Sequence, residues 1–141
     1  MSENYNTVSL YNKKNGLKEI HPENFYLNNN NNKIKYTPSD VSHKNKHGFL
    51  LVYAPWCGFC HNPIFVKSNE LFHSKVSQKL NTFIVALNGD HFQNEEIMHH
   101  LNISGFPTFF HIDPSGNLEE YNEGRNIEER GLYILKKQGK L

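Results

Sequence analysis

Phe49-Leu50-Leu51-Val52-Tyr53-Ala54-Pro55-Trp56-Cys57-Gly58-Phe59-Cys60 is the stretch that decides the fold. The run from Phe49 to Tyr53 is apolar, β-branched and aromatic, the composition of a buried strand. Pro55 ends it, and the chain's only two cysteines follow, two residues apart. At the first turn of a helix, Cα atoms three positions apart lie roughly 5 Å from one another, inside the ~4.4–6.8 Å window a disulfide needs. The free N–H groups and the dipole of such a helix start favour a thiolate on Cys57, the reactive form of the side chain. The segment reads as apparatus for thiol–disulfide exchange.

Working outward, Gly58 to about Lys79 reads as a long helix, with Phe65, Leu71, Phe72, Val76 and Leu80 on one face and Pro63 marking a kink or a tight first turn. Thr82–Leu87 reads as a second strand. Asn94, followed by Glu95 and Glu96, caps a short helix through Leu101. Thr108–Ile112 and Leu118–Asn122 form a hairpin about the turn Asp113-Pro114-Ser115-Gly116-Asn117. A last helix opens at Asn126 and ends near Gly139. Upstream the chain divides at residue 46. Residues 1–46 form a polar, Asn-rich N-terminal extension with a candidate first strand at Val8–Tyr11, a loop at the Asn28–Asn32 run and a short helix opening at Thr37-Pro38-Ser39-Asp40. The folded domain is 47–141. Its order, strand–helix–strand–helix–strand–strand–helix, predicts an α/β protein with parallel strands joined by a crossover, an antiparallel hairpin, and helices on both sheet faces.

With 141 residues and a net charge of +1, the chain fits one domain with a sizeable core and carries no charge bias toward nucleic acid or an anionic membrane. Its longest apolar run is far too short to span a bilayer. Met1-Ser2-Glu3-Asn4-Tyr5-Asn6 lacks the basic start and apolar core of a secretory signal, and Gln138-Gly139-Lys140-Leu141 is not a KDEL-type retention signal. The expected location is cytoplasmic, or a virion if the source is a large DNA virus. A secretory compartment is expected only if a signal has been trimmed. One CxxC pair and no other cysteine is a catalytic or metal-binding pattern rather than a structural disulfide framework.

Three motifs in order resemble the thioredoxin superfamily, and most nearly a protein disulfide isomerase-type catalytic domain. Tyr53 to Cys60 resembles the active-site signature. Ile103-Ser104-Gly105-Phe106-Pro107-Thr108 resembles the cis-proline loop. Tyr121-Asn122-Glu123-Gly124-Arg125-Asn126-Ile127-Glu128 resembles the exit from the final hairpin. The resemblance covers about residues 47–138 and implies a three-layer α/β/α sandwich with a mixed central sheet. It implies that Cys57 is the attacking thiol and Cys60 the buried resolving thiol. Arg125 swings toward Cys60 in this picture. Trp56, Gly58, Phe59, Phe106 and cis Pro107 contact an extended substrate segment, and Trp56 reports the redox state by fluorescence.

Departures from the pattern sharpen the expectation. Thioredoxins and disulfide isomerases carry a buried acid six residues before the first cysteine, often paired with a lysine on the next strand. Here those positions are Leu51 and about Ala86. A lone buried charge is costly and an apolar pair is not, so the joint loss is physically coherent. It predicts slow release of mixed disulfides through Cys60, or reliance on Arg125 or water. Between Gly58 and Cys60 stands Phe59, where the family has proline or histidine. His61, four residues after Cys57, is a candidate modulator of the thiolate.

The function expected is a protein-disulfide oxidoreductase of isomerase or thioredoxin type, exchanging disulfides through the Cys57–Cys60 dithiol. No organic cofactor and no metal is expected. The partners expected are protein thiols and disulfides and a recycling reductase or sulfhydryl oxidase, with neither nucleic acid nor membrane, and the chain a monomer or weak dimer. Two other classes stay open at this point. One is a redox-inactive thioredoxin-fold binding or structural module that uses the Phe106–Pro107 groove. The other is a CxxC metal-binding protein, which needs two further ligands at proper spacing.

Overall fold

The structure, a computed structural model, describes residues 9–11, 17–28, 30–31, 33–123 and 127–140. Strand β1 (Lys18–Glu19) precedes a hairpin of β2 (Phe25–Asn28) and β3 (Lys33–Tyr36). There follow β4 (His47–Tyr53), helix α1 (Pro63–Lys79), β5 (Thr82–Asn88), α2 (Glu95–Leu101), β6 (Thr108–Ile112), β7 (Leu118–Tyr121) and α3 (Ile127–Lys137). Five strands make one mixed sheet in the order β1-β5-β4-β6-β7. The β1–β5 and β4–β5 pairs are parallel, and β4–β6 and β6–β7 are antiparallel.

Side-chain alternation along the central strands builds two cores. Phe49, Leu51 and Tyr53 of β4 join Ile84 and Ala86 of β5 under Phe65 and Phe72 of α1 and Ile134 of α3. Leu50 and Val52 join Phe83, Val85 and Leu87 on the other face, covered by Ile97 and Leu101 of α2 and by Phe25 and Tyr36 of the hairpin. Both faces of β4 and β5 are therefore apolar, as parallel strands with helices on each side require. The result is the three-layer α/β/α sandwich that the motifs implied.

Four local readings are corrected. Helix α1 opens at Pro63, one turn later than expected. Proline has no N–H to give and disfavours helical backbone at the residue before it, so it suits the first helical position. Asn62 caps the helix, its Oδ1 accepting from Ile64 N–H at 2.8 Å. On α1 the buried residues are Phe65, Asn69, Glu70, Phe72 and His73, while Leu71 is exposed and the Val76 side chain lies outside the described residues. Asn94 stands at the cap position of α2 without a capping hydrogen bond; its Nδ2 turns inward to the Asn88 carbonyl at 2.9 Å. Residues 9–11 are not a strand, and the edge of the sheet is Lys18–Glu19 instead. Val8 and Asn126 lie outside the described residues.

The polar front contributes an unexpected hairpin, in register Phe25↔Tyr36 and Leu27↔Ile34. Asparagine side chains shape its tip: Asn28 accepts from Asn30 N–H at 3.0 Å and Asn31 from Lys33 N–H at 3.1 Å. Tyr36 N–H then donates to the Gly116 carbonyl at 2.8 Å, tying the hairpin to the β6–β7 turn. Gly116 has φ +91 and lies against the Tyr36 carbonyl, so a side chain there is both strained and obstructed.

Histidines are built into these cores as neutral rings. His43 stacks on Phe83 at 4.2 Å. His111 meets His47 through ring nitrogens 2.9 Å apart. Burial pushes His43 down to about 4, against the pull of Asp40; burial and His47 do the same to His111, to about 4. Because the unfolded rings bind protons first, this stability is whole above about pH 6.5 and is lost as pH falls toward 4, on the order of 3 kcal/mol for each ring. Glu19, raised to about 7 by burial, runs the opposite way, but one carboxyl faces several histidines. Denaturant midpoints are expected to fall between pH 6.5 and 4.5, and equal midpoints contradict the argument.

Candidate active site

Strand β4 delivers the motif to the carboxyl end of the sheet, where crevices form in open α/β folds. Gly89 N–H donates to the Tyr53 carbonyl at 2.7 Å and Cys57 N–H to the Ala54 carbonyl at 3.0 Å, folding the chain sharply after the strand. Residues 58–61 form a turn, with His61 N–H donating to the Cys57 carbonyl at 3.3 Å. The cysteines therefore sit on the turn ahead of α1 rather than within its first turn. The donor that faces Cys57 Sγ is the backbone N–H of Cys60, at 3.3 Å.

Cys57 and Cys60 are not joined in a disulfide. Cys57 is 9% exposed and Cys60 is fully buried. Across the crevice the Phe106–Pro107 peptide bond is cis, and Cys57 Sγ donates to the Phe106 carbonyl at 3.7 Å. The loop before β6 is thus held against the outer sulfur. A cleft of about 320 Å³ opens beside it, lined by residues 104–109 and 120–122.

Trp56 is 55% exposed and forms the near wall. Its ring meets Phe106 edge-on at 5.7 Å, and its Nε1–H donates to Asp90 Oδ2 at 2.9 Å. Phe59, 49% exposed, lies over Phe65 at 4.6 Å. Gly58 faces open space. His61 is exposed on the turn. The structure thus gathers Trp56, Cys57, Phe106 and Pro107 at one crevice, with Phe59 and His61 on its helix side. Arg125 lies outside the described residues. No group of three or more His, Cys, Asp or Glu side chains placed to hold a metal occurs among the described residues, and no helix among them is long and apolar enough to cross a membrane.

The register places Leu51 opposite Ala86 on one side and Phe109 on the other. The row behind the cysteines is apolar at those positions. The sequence reading missed the polar groups nearby. Asp90 anchors Trp56. Tyr53 O–H donates to Glu19 at 2.6 Å. Arg130, wholly buried, donates to Asn69 Oδ1 at 2.8 Å and covers the Phe72 and Phe109 rings at 4.5 and 4.7 Å. An arginine four residues into an amphipathic helix normally signals a solvated face, so only the fold reveals it as core.

The chain belongs to the thioredoxin family, whose profile matches residues 30–133. Within it the likeness is to disulfide isomerase-type domains. Protein disulfide-isomerase 1 of Dictyostelium discoideum is 26% identical over 157 residues, covering 96% of this chain and 43% of its own. Protein disulfide isomerase-like 2-2 of Oryza sativa subsp. japonica is 33% identical over 107 residues, 72% of this chain and 26% of its own. This chain therefore spans less than half the length of either relative. The solved first thioredoxin domain of mouse Protein disulfide-isomerase A4 superposes with a TM-score of 0.62 at 21% identity, over 89% of this chain and 77% of that one. Full-length ERdj5 gives 0.62 at 16% identity, over 87% and 16% respectively. The two structures speak for the fold.

Proposed function

We propose that this domain exchanges disulfides with protein substrates through Cys57 and Cys60. The observation that carries the reading is the juxtaposed Cys57 and Cys60 thiols, not joined in a disulfide, with the outer sulfur held against the Phe106 carbonyl at 3.7 Å. Cys57 thiolate attacks one sulfur of a substrate disulfide, that S–S bond breaks, and one substrate thiolate leaves and takes up a proton. Cys60 thiolate then attacks Cys57 Sγ and releases the second substrate thiol. Two electrons pass to the substrate, and the domain is left with a Cys57–Cys60 disulfide. Run in reverse, the same steps install a disulfide in a dithiol substrate. A recycling reductase or sulfhydryl oxidase resets the pair, and no organic cofactor takes part. The names of the relatives support the class, and the cleft beside Pro107 suits an extended segment.

The test is the reduction potential of the pair, read by Trp56 fluorescence in glutathione buffers with thiol trapping as a check. Trp56 adjoins Cys57, so its emission is expected to change on oxidation. A midpoint near about −180 mV assigns the domain to disulfide formation and isomerisation, and one near about −270 mV to reduction. A pair that never oxidises overturns the reading.

A further inference from the structure

Cys60 sets a chemical problem. To attack Cys57 Sγ it must lose a proton, yet it is fully buried, and a buried thiol holds its proton. Leu51, Ala86 and Phe109, in register behind it, accept none. The next residue along that row is Glu19, which pairs with Ala86 from β1. Residues in register project to the same sheet face. Glu19 therefore enters the layer that holds Cys60, two strands and roughly 10 Å from the Leu51 position.

That carboxyl is built in. Oε1 accepts from Tyr53 O–H at 2.6 Å and from Ser9 O–H at 2.9 Å. The Tyr53 hydroxyl in turn accepts from Leu10 N–H at 3.1 Å. Tyr11 packs edge-on against Tyr53 with ring centres 5.6 Å apart. Its hydroxyl accepts from Asn69 Nδ2 at 3.2 Å, and Asn69 is held in turn by Arg130. Tyr11, Tyr53 and Cys60 share one core cluster. Burial pushes the Tyr11 hydroxyl above its ordinary value against the Asn69 hydrogen bond; negative charge on Cys60 and on Glu19 adds to that push, and Arg130 opposes it, so Tyr11 feels both acids. Burial pushes Glu19 up to about 7, against hydrogen bonds from Tyr53, Ser9 and the Asn88 backbone. A group poised near neutrality both takes and returns a proton. A cavity of about 90 Å³ lined by Ser9, Glu19, His21, Tyr53 and His91 connects it with solvent. The titratable and charged groups around Glu19 are thus Tyr11, Tyr53, His21 and His91, together with Lys18, Glu23 and Asp40, which line a second pocket with it, and Arg130 behind Asn69.

Resting on the exchange reading above, we propose that Glu19 is the proton acceptor for Cys60, acting at one remove through the buried cluster of Tyr11 and Tyr53. As Cys60 sulfur bonds to Cys57 Sγ, its proton passes to the Glu19 carboxylate. The bond between Cys57 and the substrate sulfur breaks, and the substrate thiolate leaves with the electron pair. In the reverse direction the Glu19 carboxyl returns the proton to Cys60.

The experiment is single-turnover reaction of the full chain with an aromatic nitrobenzoate disulfide. Cys57 releases one coloured thiolate and Cys60 the second. In the native protein the second release is expected to rise with pH through an inflection near 7. Glu19→Gln is expected to slow it about tenfold at neutral pH and to erase the inflection, with the first release as internal reference. Should Glu19→Gln fail to fold, Tyr53→Phe keeps the carboxyl but removes a hydrogen bond to it, and is expected to move the inflection to higher pH. A second release with unchanged rate and pH profile in Glu19→Gln, or an unmoved inflection in Tyr53→Phe, overturns the proposal. Absence of any first release from the native protein overturns the exchange reading itself, and the role of Glu19 with it.

Discussion

Replacing Cys57 with serine is expected to abolish disulfide exchange, by at least about a thousandfold in the rate of reducing a disulfide substrate. A serine hydroxyl neither ionises near neutrality nor forms a stable bond to a substrate sulfur. Only Cys60 remains in such a chain, and it lies beneath the crevice, fully buried. The substitution removes little volume at a site already 9% exposed, so the loss is read as chemistry rather than unfolding. Cys60→Ser has a different signature: Cys57 still attacks, and the mixed disulfide accumulates because nothing resolves it. Insulin reduction and mass spectrometry of the trapped adduct measure the two. Exchange retained in Cys57→Ser contradicts the assignment of the nucleophile.

The second large effect is on stability. Phe49→Ala is expected to cost about 3–5 kcal/mol and to lower the melting temperature by roughly 10 °C or more. Phe49 is fully buried at the centre of an aromatic set: Tyr121 at 5.2 Å, Phe72 at 5.8 Å, Tyr133 at 6.1 Å and His111 at 6.3 Å. These partners come from β7, α1, α3 and β6. The ring therefore joins elements that the chain brings together from far apart, and no neighbour on a single helix can collapse into the space. Leu71→Ala on the outer side of α1 is the control, expected to move stability by no more than about 0.5 kcal/mol. Urea denaturation of both variants decides it, and a Phe49→Ala cost under about 1 kcal/mol contradicts the packing argument.

The central architecture was legible because β4, β5 and β6 are short runs of residues that have no other good place to be. The crevice was legible for a different reason. Its parts lie on three contiguous motifs, and each carries its own local chemistry. What escaped was of two kinds. The β2–β3 hairpin rests on four apolar residues, Phe25, Leu27, Ile34 and Tyr36, whose alternation is real but is interrupted by five asparagines. The start of α1 was misplaced because a proline within a helical pattern fits a kink as well as a first residue. The buried polar network escaped for a deeper reason. Glu19, Tyr53, Asn69 and Arg130 are far apart in sequence, and a polar residue on an amphipathic segment is read as solvated until the fold puts something over it. Periodicity fixes which face a residue shares with its neighbours along the chain; it is silent about what another element brings to that face.

The cap at Asn62 has a mechanical consequence. Since α1 begins beyond the cysteines, residues 56–61 form a short bridge between two anchored ends: the strand terminus, pinned by Gly89, and the capped helix. Joining or parting the two sulfurs is expected to be absorbed within that bridge, leaving the aromatic interior behind it in place. If the pair cycles as proposed, the oxidised and reduced forms are expected to differ in outline along the lip where Trp56 and Phe59 stand exposed. A protein that docks on one form and lets go of the other has its information there, in the lean of two exposed rings.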